Sequence, residues 1–216
     1  MPRKYQKRRR AEVEEATRER IVEALVDLHG SVGPLRTTVL AVAERAGVQR
    51  ATVYRHFPDE SSMFAACSAH WLEKNPLPDP ADWRVILDPW RRVRVALREL
   101  YGFYASHEQM LTNLFREEPL VEALRPSMRG IRAYLDGAAV TIAQQVECRP
   151  NTRRVVRAAA GHAVAFTTWA SLVRRRRLSR HAAIELMVGM IERAGQPATR
   201  SPGIDVPGRP PRARLV

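Results

Sequence analysis

Cysteine is nearly absent from this sequence: Cys67 and Cys148 stand alone, with neither the number nor the spacing of a disulfide framework or a metal clip. Cys67 falls on a stripe with Met63, Phe64 and Trp71, so it reads as a buried structural thiol. Lysine is nearly absent too, found only at positions 4, 7 and 74. No apolar run approaches the roughly 20 residues that span a membrane. The basic N-terminus has no apolar segment behind it, which excludes a signal peptide and leads to the expectation of a soluble, cytoplasmic protein. Catalytic motifs are missing as well. The histidines at 29, 56, 70, 107, 162 and 181 form no HExxH-type ligand pair, and His70 with Glu73 is an isolated coincidence. There is no GxSxG elbow, and Gly30-Ser31-Val32-Gly33 lacks the Gly-Lys that completes a phosphate loop. Neither an enzyme nor a resident metal or cofactor is expected.

What the chain does have is base. The formal charge is +13 and the pI about 11.0 over 216 residues, a balance that suits a polyanionic partner. Its distribution tempers the point, because residues 1–60 carry a net of only +3, and an arginine-rich composition raises charge everywhere. A motif has to carry the argument.

That motif runs from Thr37 to Phe64. Val39, Leu40, Val42 and Ala43 mark a short helix, Ala46-Gly47-Val48 breaks it, and a second short helix follows through Val53 to His56. Two short helices joined by a tight turn at glycine form a helix-turn-helix. Gly47 accepts the left-handed conformation that ends the first helix, at a site where a Cβ costs free energy. The turn angles the second helix for a DNA major groove. Thr37 or Thr38 caps the first helix. On the second, Gln49, Arg50, Thr52, Tyr54, Arg55 and His56 face outward, while Val48, Val53 and Phe57 point inward. Arg50 is the best candidate for base readout, since arginine pairs two-pronged with guanine, and Gln49 could read adenine similarly. Thr52 suits a thymine methyl or a phosphate, and Arg55 a phosphate.

Thr38, Val42-Ala43, Ala46-Gly47-Val48, Thr52, Tyr54, His56-Phe57 and Phe64 closely resemble the N-terminal domain of the TetR/AcrR family of bacterial transcriptional regulators, over residues 15–72. The resemblance implies a phosphate contact from the Thr that caps the first of these two helices, Thr37 or Thr38, and from Tyr54 and His56. It further implies a fourth helix that moves as a lever, a homodimer through the last two helices (about 151–194), and an unidentified small-molecule effector. Two departures stand out: Gln49 where the family more often has Ser, and Glu60 where it usually has Lys.

Taken in order, the chain divides into a basic, disordered arm (1–10), a helix-turn-helix DNA-binding domain (11–74), a helical ligand-binding and dimerisation domain (81–195) and a disordered tail (196–216). The fold class is all-α, with about nine helices. The first long helix spans about Ala11 to His29, with Glu14–Arg18 as an i,i+4 pair. Asn75 to Pro80 forbids helix and marks the domain boundary. Asp88-Pro89 starts a helix. Further helices run from about His107 to Arg116, from near Pro126 to Val146, from about Asn151 to Arg175 and from Ser179 to Ala194. Trp90, Phe103, Tyr104, Met110, Phe115, Met128, Tyr134, Phe166 and Trp169 supply aromatic and sulfur surface for an apolar ligand pocket, or equally for plain core. The reading that follows is a ligand-responsive repressor bound as a dimer to a palindromic operator on double-stranded DNA. A DNA-binding architectural or activator protein without a small-molecule sensor is the alternative.

Overall fold

The structure, a computed structural model, describes residues 2–196. The described residues form eleven α-helices and no strand. The first four make a head: α1 (Pro2–Ser31), α2 (Val39–Ala46), α3 (Arg50–His56) and α4 (Glu60–Lys74). Ile21, Val22, Leu25 and Leu28 of α1 bury against Val42, Ala43 and Ala46 of α2, Val53 of α3, Phe57, and Met63 and Cys67 of α4. These are the apolar positions that helical spacing nominates, so the head is built by burial of one face per helix.

Two expectations for α1 need correction. Of the arm 1–10, expected to be disordered, the described residues from Pro2 on are instead the start of α1. The segment has no apolar stripe, but arginine and glutamate are good helix formers, and Arg8 pairs with Glu12 at 2.9 Å. Arg18 pairs not with Glu14 but with Glu15, at 3.9 Å, and its guanidinium lies 5.2 Å from the centre of the Phe57 ring. The tail from residue 197 lies outside the described residues.

The body holds α5 (Pro80–Arg84), α6 (Pro89–Ser106), α7 (Glu108–Glu117), α8 (Arg125–Ala143), α9 (Arg153–Val164), α10 (Phe166–Trp169) and α11 (Arg180–Gly195). Asp88 caps α6 by accepting from Trp90 and Arg91, and Ser179 caps α11 by accepting from Ala182. The proline loop does not stand free. Its Pro78 carbonyl accepts from the Tyr134 hydroxyl of α8 at 2.6 Å, and it leads into α5, whose Trp83 is fully buried with Nε1 donating to Glu99 at 2.7 Å.

The helix expected over 151–175 is broken. Ala165 adopts an extended conformation (φ −70°, ψ 135°) between α9 and α10, and Ala170–Arg175 winds on as π-helix. The interruption leaves the Ala163 and Val164 carbonyls without partners from the next turn. The hydroxyls of Tyr101 and Tyr104, both on α6, donate to them at 3.0 and 2.5 Å. Burial pushes both phenols up, which keeps them protonated as donors.

Candidate nucleic-acid interface

Gly47 ends α2 in the left-handed conformation (φ 65°, ψ 40°), and the Val48 N–H donates back to the Ala43 carbonyl at 3.0 Å. Val53 is fully buried and Phe57 nearly so, which fixes the pitch of α3 on the head. Gln49, Arg50, Tyr54 and Arg55 are left exposed on one short helix, with Thr52 half-buried. Thr38 is exposed and caps α2, its Oγ1 accepting from the Ala41 N–H at 3.1 Å. Thr37 is half-buried, and its hydroxyl donates to the Gly33 carbonyl at 2.8 Å. His56 is half-buried, and its Nε2 is enclosed without a hydrogen-bond partner among the described residues. Gln49 occupies the N-cap of α3 but makes no side-chain capping bond.

Thr38, Arg50 and Tyr54 line a cleft of about 1200 Å³ between head and body, with Glu60 on the same cleft and Arg125 and Arg129 from α8. Glu60 opens α4 next to a capping box in which Asp59 accepts from the Ser62 N–H at 2.7 Å and Ser62 Oγ stands 3.4 Å from the Asp59 N–H. An acid in the first turn suits the helix dipole, so its place there is locally favourable.

The head is joined to the body by polar contacts that no local pattern announces. Asn113 of α7 donates through Nδ2 to the carbonyls of His29 and Gly30, at 3.0 and 2.9 Å, capping the end of α1. Glu117, one turn further along α7, accepts from the Leu35 N–H at 2.8 Å, in the 3-10 turn Pro34–Arg36 that leads into α2. Burial alone would raise the Glu117 carboxyl, but Arg116 at 2.5 Å and the Leu35 N–H outweigh it, and the group sits below its ordinary range. Gly33 is obligatory here. Its φ is 92°, and a Cβ would meet the Glu117 carboxylate at 2.5 Å. His29 stacks on Phe64 with ring centres 4.9 Å apart, and its Nδ1 is 3.3 Å from Cys67 Sγ. Burial lowers His29 to about 4, with Glu117 opposing weakly, and pushes the Cys67 thiol up to about 12.

The sequence-nominated ligand-pocket residues are mostly packing. Tyr104, Met110, Met128, Phe166 and Trp169 are buried, and Trp90, Phe103, Phe115 and Tyr134 pack at the edge of the core. A separate cavity of about 230 Å³ lies between head and body, and of the nine only Met110 lines it. Sequence reasoning missed its other walls because they come from α1, α4, α7 and α8 together.

Residues 21–67 match the family model of bacterial regulatory proteins, tetR family. That match lies within the head, from α1 to α4. Over 83 residues the chain is 37% identical to the nucleoid occlusion factor SlmA of Marinobacter nauticus, a stretch that is 38% of this chain. The chain spans about 40% of the length of that relative. A TetR-like transcriptional regulator from Rhodococcus sp. RHA1 superposes with a TM-score of 0.58 at 19% identity, covering 82% of this chain and 94% of that one. A tetR-family regulator from Streptomyces coelicolor does so with a TM-score of 0.57 at 20% identity, over 83% and 79% of the two chains. The two structures share the fold of head and body alike. Among the described residues no helix is long and apolar enough to cross a membrane.

Proposed function

We propose that the chain is a sequence-specific DNA-binding transcriptional regulator that acts as a homodimer on a palindromic operator and is released by a small molecule. The observation that carries this is the exposed row Gln49, Arg50, Tyr54 and Arg55 on a helix held by the Gly47 turn, within the span that matches the tetR family. On this reading Arg50 reads guanine, Thr38, Tyr54 and Arg55 hold phosphates, and Thr37 positions rather than contacts, its hydroxyl being engaged with Gly33. His56 serves best as packing, given its enclosed Nε2.

Dimerisation is supported by the outer face of the last helices. Val155 on α9 and Leu186 on α11 are 53% and 50% exposed, and Gly189, also exposed on α11, permits close approach. A two-fold pairing of that face would cover it and set two recognition helices for successive grooves. Ligand response is supported by the cavity walled by both head and body. An occupant acts on DNA binding to the extent that it binds the two head arrangements with different affinity.

The test is selection of bound DNA from a random pool at about 0.15 M salt, where non-specific contacts are weakened. An enriched palindrome, lost in Arg50→Ala and Tyr54→Phe proteins with unchanged circular dichroism, supports the reading. A second reading, a DNA-binding architectural or activator protein without a small-molecule sensor, is favoured by the similarity over 83 residues to a nucleoid occlusion factor. A folded dimer that enriches no sequence would select it.

A further inference from the structure

The cavity between head and body has a composition that narrows what it can hold. Its walls contain no Lys, Arg, Asp or Glu. Its potentially ionic groups, His29 and Cys67, are both neutral at pH 7, because burial lowers the one to about 4 and raises the other to about 12. His29 Nδ1 and Cys67 Sγ also stand 3.3 Å apart and pair with one another. Trp71 and Met110 supply soft apolar surface, and Ser127 a hydroxyl. Transferring an ion into such surroundings without a partner costs far more than transferring a neutral molecule of equal size. An apolar cavity of about 150 Å³ stays dry and takes benzene, whereas this one measures about 230 Å³. The space matches two fused rings or an alkyl group of similar bulk.

We propose that this cavity is the binding site of an uncharged, largely apolar small molecule about the size of two fused rings. The inference deepens the ligand-responsive reading above and rests on it for its regulatory consequence, though not for binding itself. Gly130 of α8 is the one exposed residue of the cavity's lining, so the cavity opens beside it. A Cβ there would meet nothing within 4 Å. The occupant touches His29 at the end of α1, α4 of the head, and Met110 on α7. Asn113 and Glu117, which hold the end of α1 and the turn before α2, follow Met110 on the same helix. A molecule that displaces α7 therefore bears on both grips at once.

The experiment titrates the full-length protein with naphthalene and indole as neutral probes, and with 1-naphthoate and 1-naphthylmethylammonium as charged probes of matching ring size. Calorimetry and tryptophan fluorescence, with Trp71→Phe as control, read the binding. The expected result is saturable binding of a neutral probe at one per protomer, about tenfold or more tighter than either charged probe. Gly130→Leu should place a side chain in the mouth and remove that binding. The variant replaces a helical glycine, so its melting temperature should not fall. The proposal is overturned by no saturable binding of the neutral probes, by charged probes binding equally well, or by unchanged binding in Gly130→Leu. DNA affinity measured with and without naphthalene separates the two claims. Binding without any change in DNA affinity keeps the site and sinks the ligand-responsive reading. An operator found by selection, with no probe binding, sinks the site and leaves the sequence-specific DNA-binding reading standing.

Discussion

Glu60 stands on the cleft that Thr38, Arg50 and Tyr54 share, exposed and one residue after the Asp59 cap. A carboxylate there is stabilised by the dipole of its own helix and repelled by any phosphate that Thr38 or Tyr54 holds. Glu60→Lys should therefore tighten DNA binding and steepen the dependence of log affinity on log salt by about one further ion released. Weaker binding, or an unchanged slope across a salt titration, would count against Glu60 facing the duplex. Arg92 presents the opposite situation, a charge the fold has enclosed. It is 1% exposed and donates to the carbonyls of Trp83, Ile86 and Gln144 and to Gln145 Oε1. Arg92→Met fills similar space but leaves several buried acceptors unpaired, at about 1–3 kcal/mol each. A loss of about 3 kcal/mol or more, or roughly 10 °C in melting temperature for a chain of this size, is the expected calorimetric outcome. Residue identities were legible where a backbone conformation or a motif demanded them, as at Gly47. They were not legible for the aromatic set, because a ligand pocket and a core ask for the same side chains, and the structure gives Tyr104 and Trp169 to the core.

At the scale of elements, helical periodicity located α2, α3, α4, α6, α7 and α11 closely, since each buries one face, and Thr38, Asp59, Asp88 and Ser179 cap α2, α4, α6 and α11. It failed at Ala165. No glycine or proline marks the break, and alanine is an excellent helix former. The break is compensated by tyrosines some 60 residues away, through Tyr101 and Tyr104 to the carbonyls of Ala163 and Val164. The short α5 escaped notice for a similar reason: Trp83 and its bond to Glu99 hold it, not its own five residues. Tyr104→Phe tests the point. It removes one hydroxyl and leaves the buried Val164 carbonyl unpartnered, which should cost about 1–3 kcal/mol. Hydrogen exchange should rise in α9 and α10 more than in the head. Exchange unchanged around Ala165 would mean that packing alone holds the break.

At the scale of the whole molecule, the sequence was least informative about how head and body are joined. The polar contacts of that joint are long-range: Asn113 with His29, and Glu117 with Leu35. Local patterning cannot encode a pairing across 80 positions. The joint nevertheless has a measurable signature in its acid dependence. His29 titrates near 6.5 in the unfolded chain and near 4 when folded, where burial disfavours the imidazolium. Between those values the unfolded state binds the extra proton, so stability falls as pH drops from about 6.5 to 4, by about 3 kcal/mol if His29 acts alone. Below that window Glu117 continues the trend. Its folded carboxyl lies below its ordinary 4.5, so its contribution is present above that pH and is lost as acid protonates it. The unfolding midpoint in urea, measured from pH 7.5 to 4, should decline along this curve. His29→Leu keeps an apolar contact with Phe64 and removes the titration, so its profile should be flatter across 6.5 to 4 even if its absolute stability is lower. A parallel decline in the variant would move the acid sensitivity elsewhere in the fold. A flattened one would tie it to the histidine on which the head meets the body.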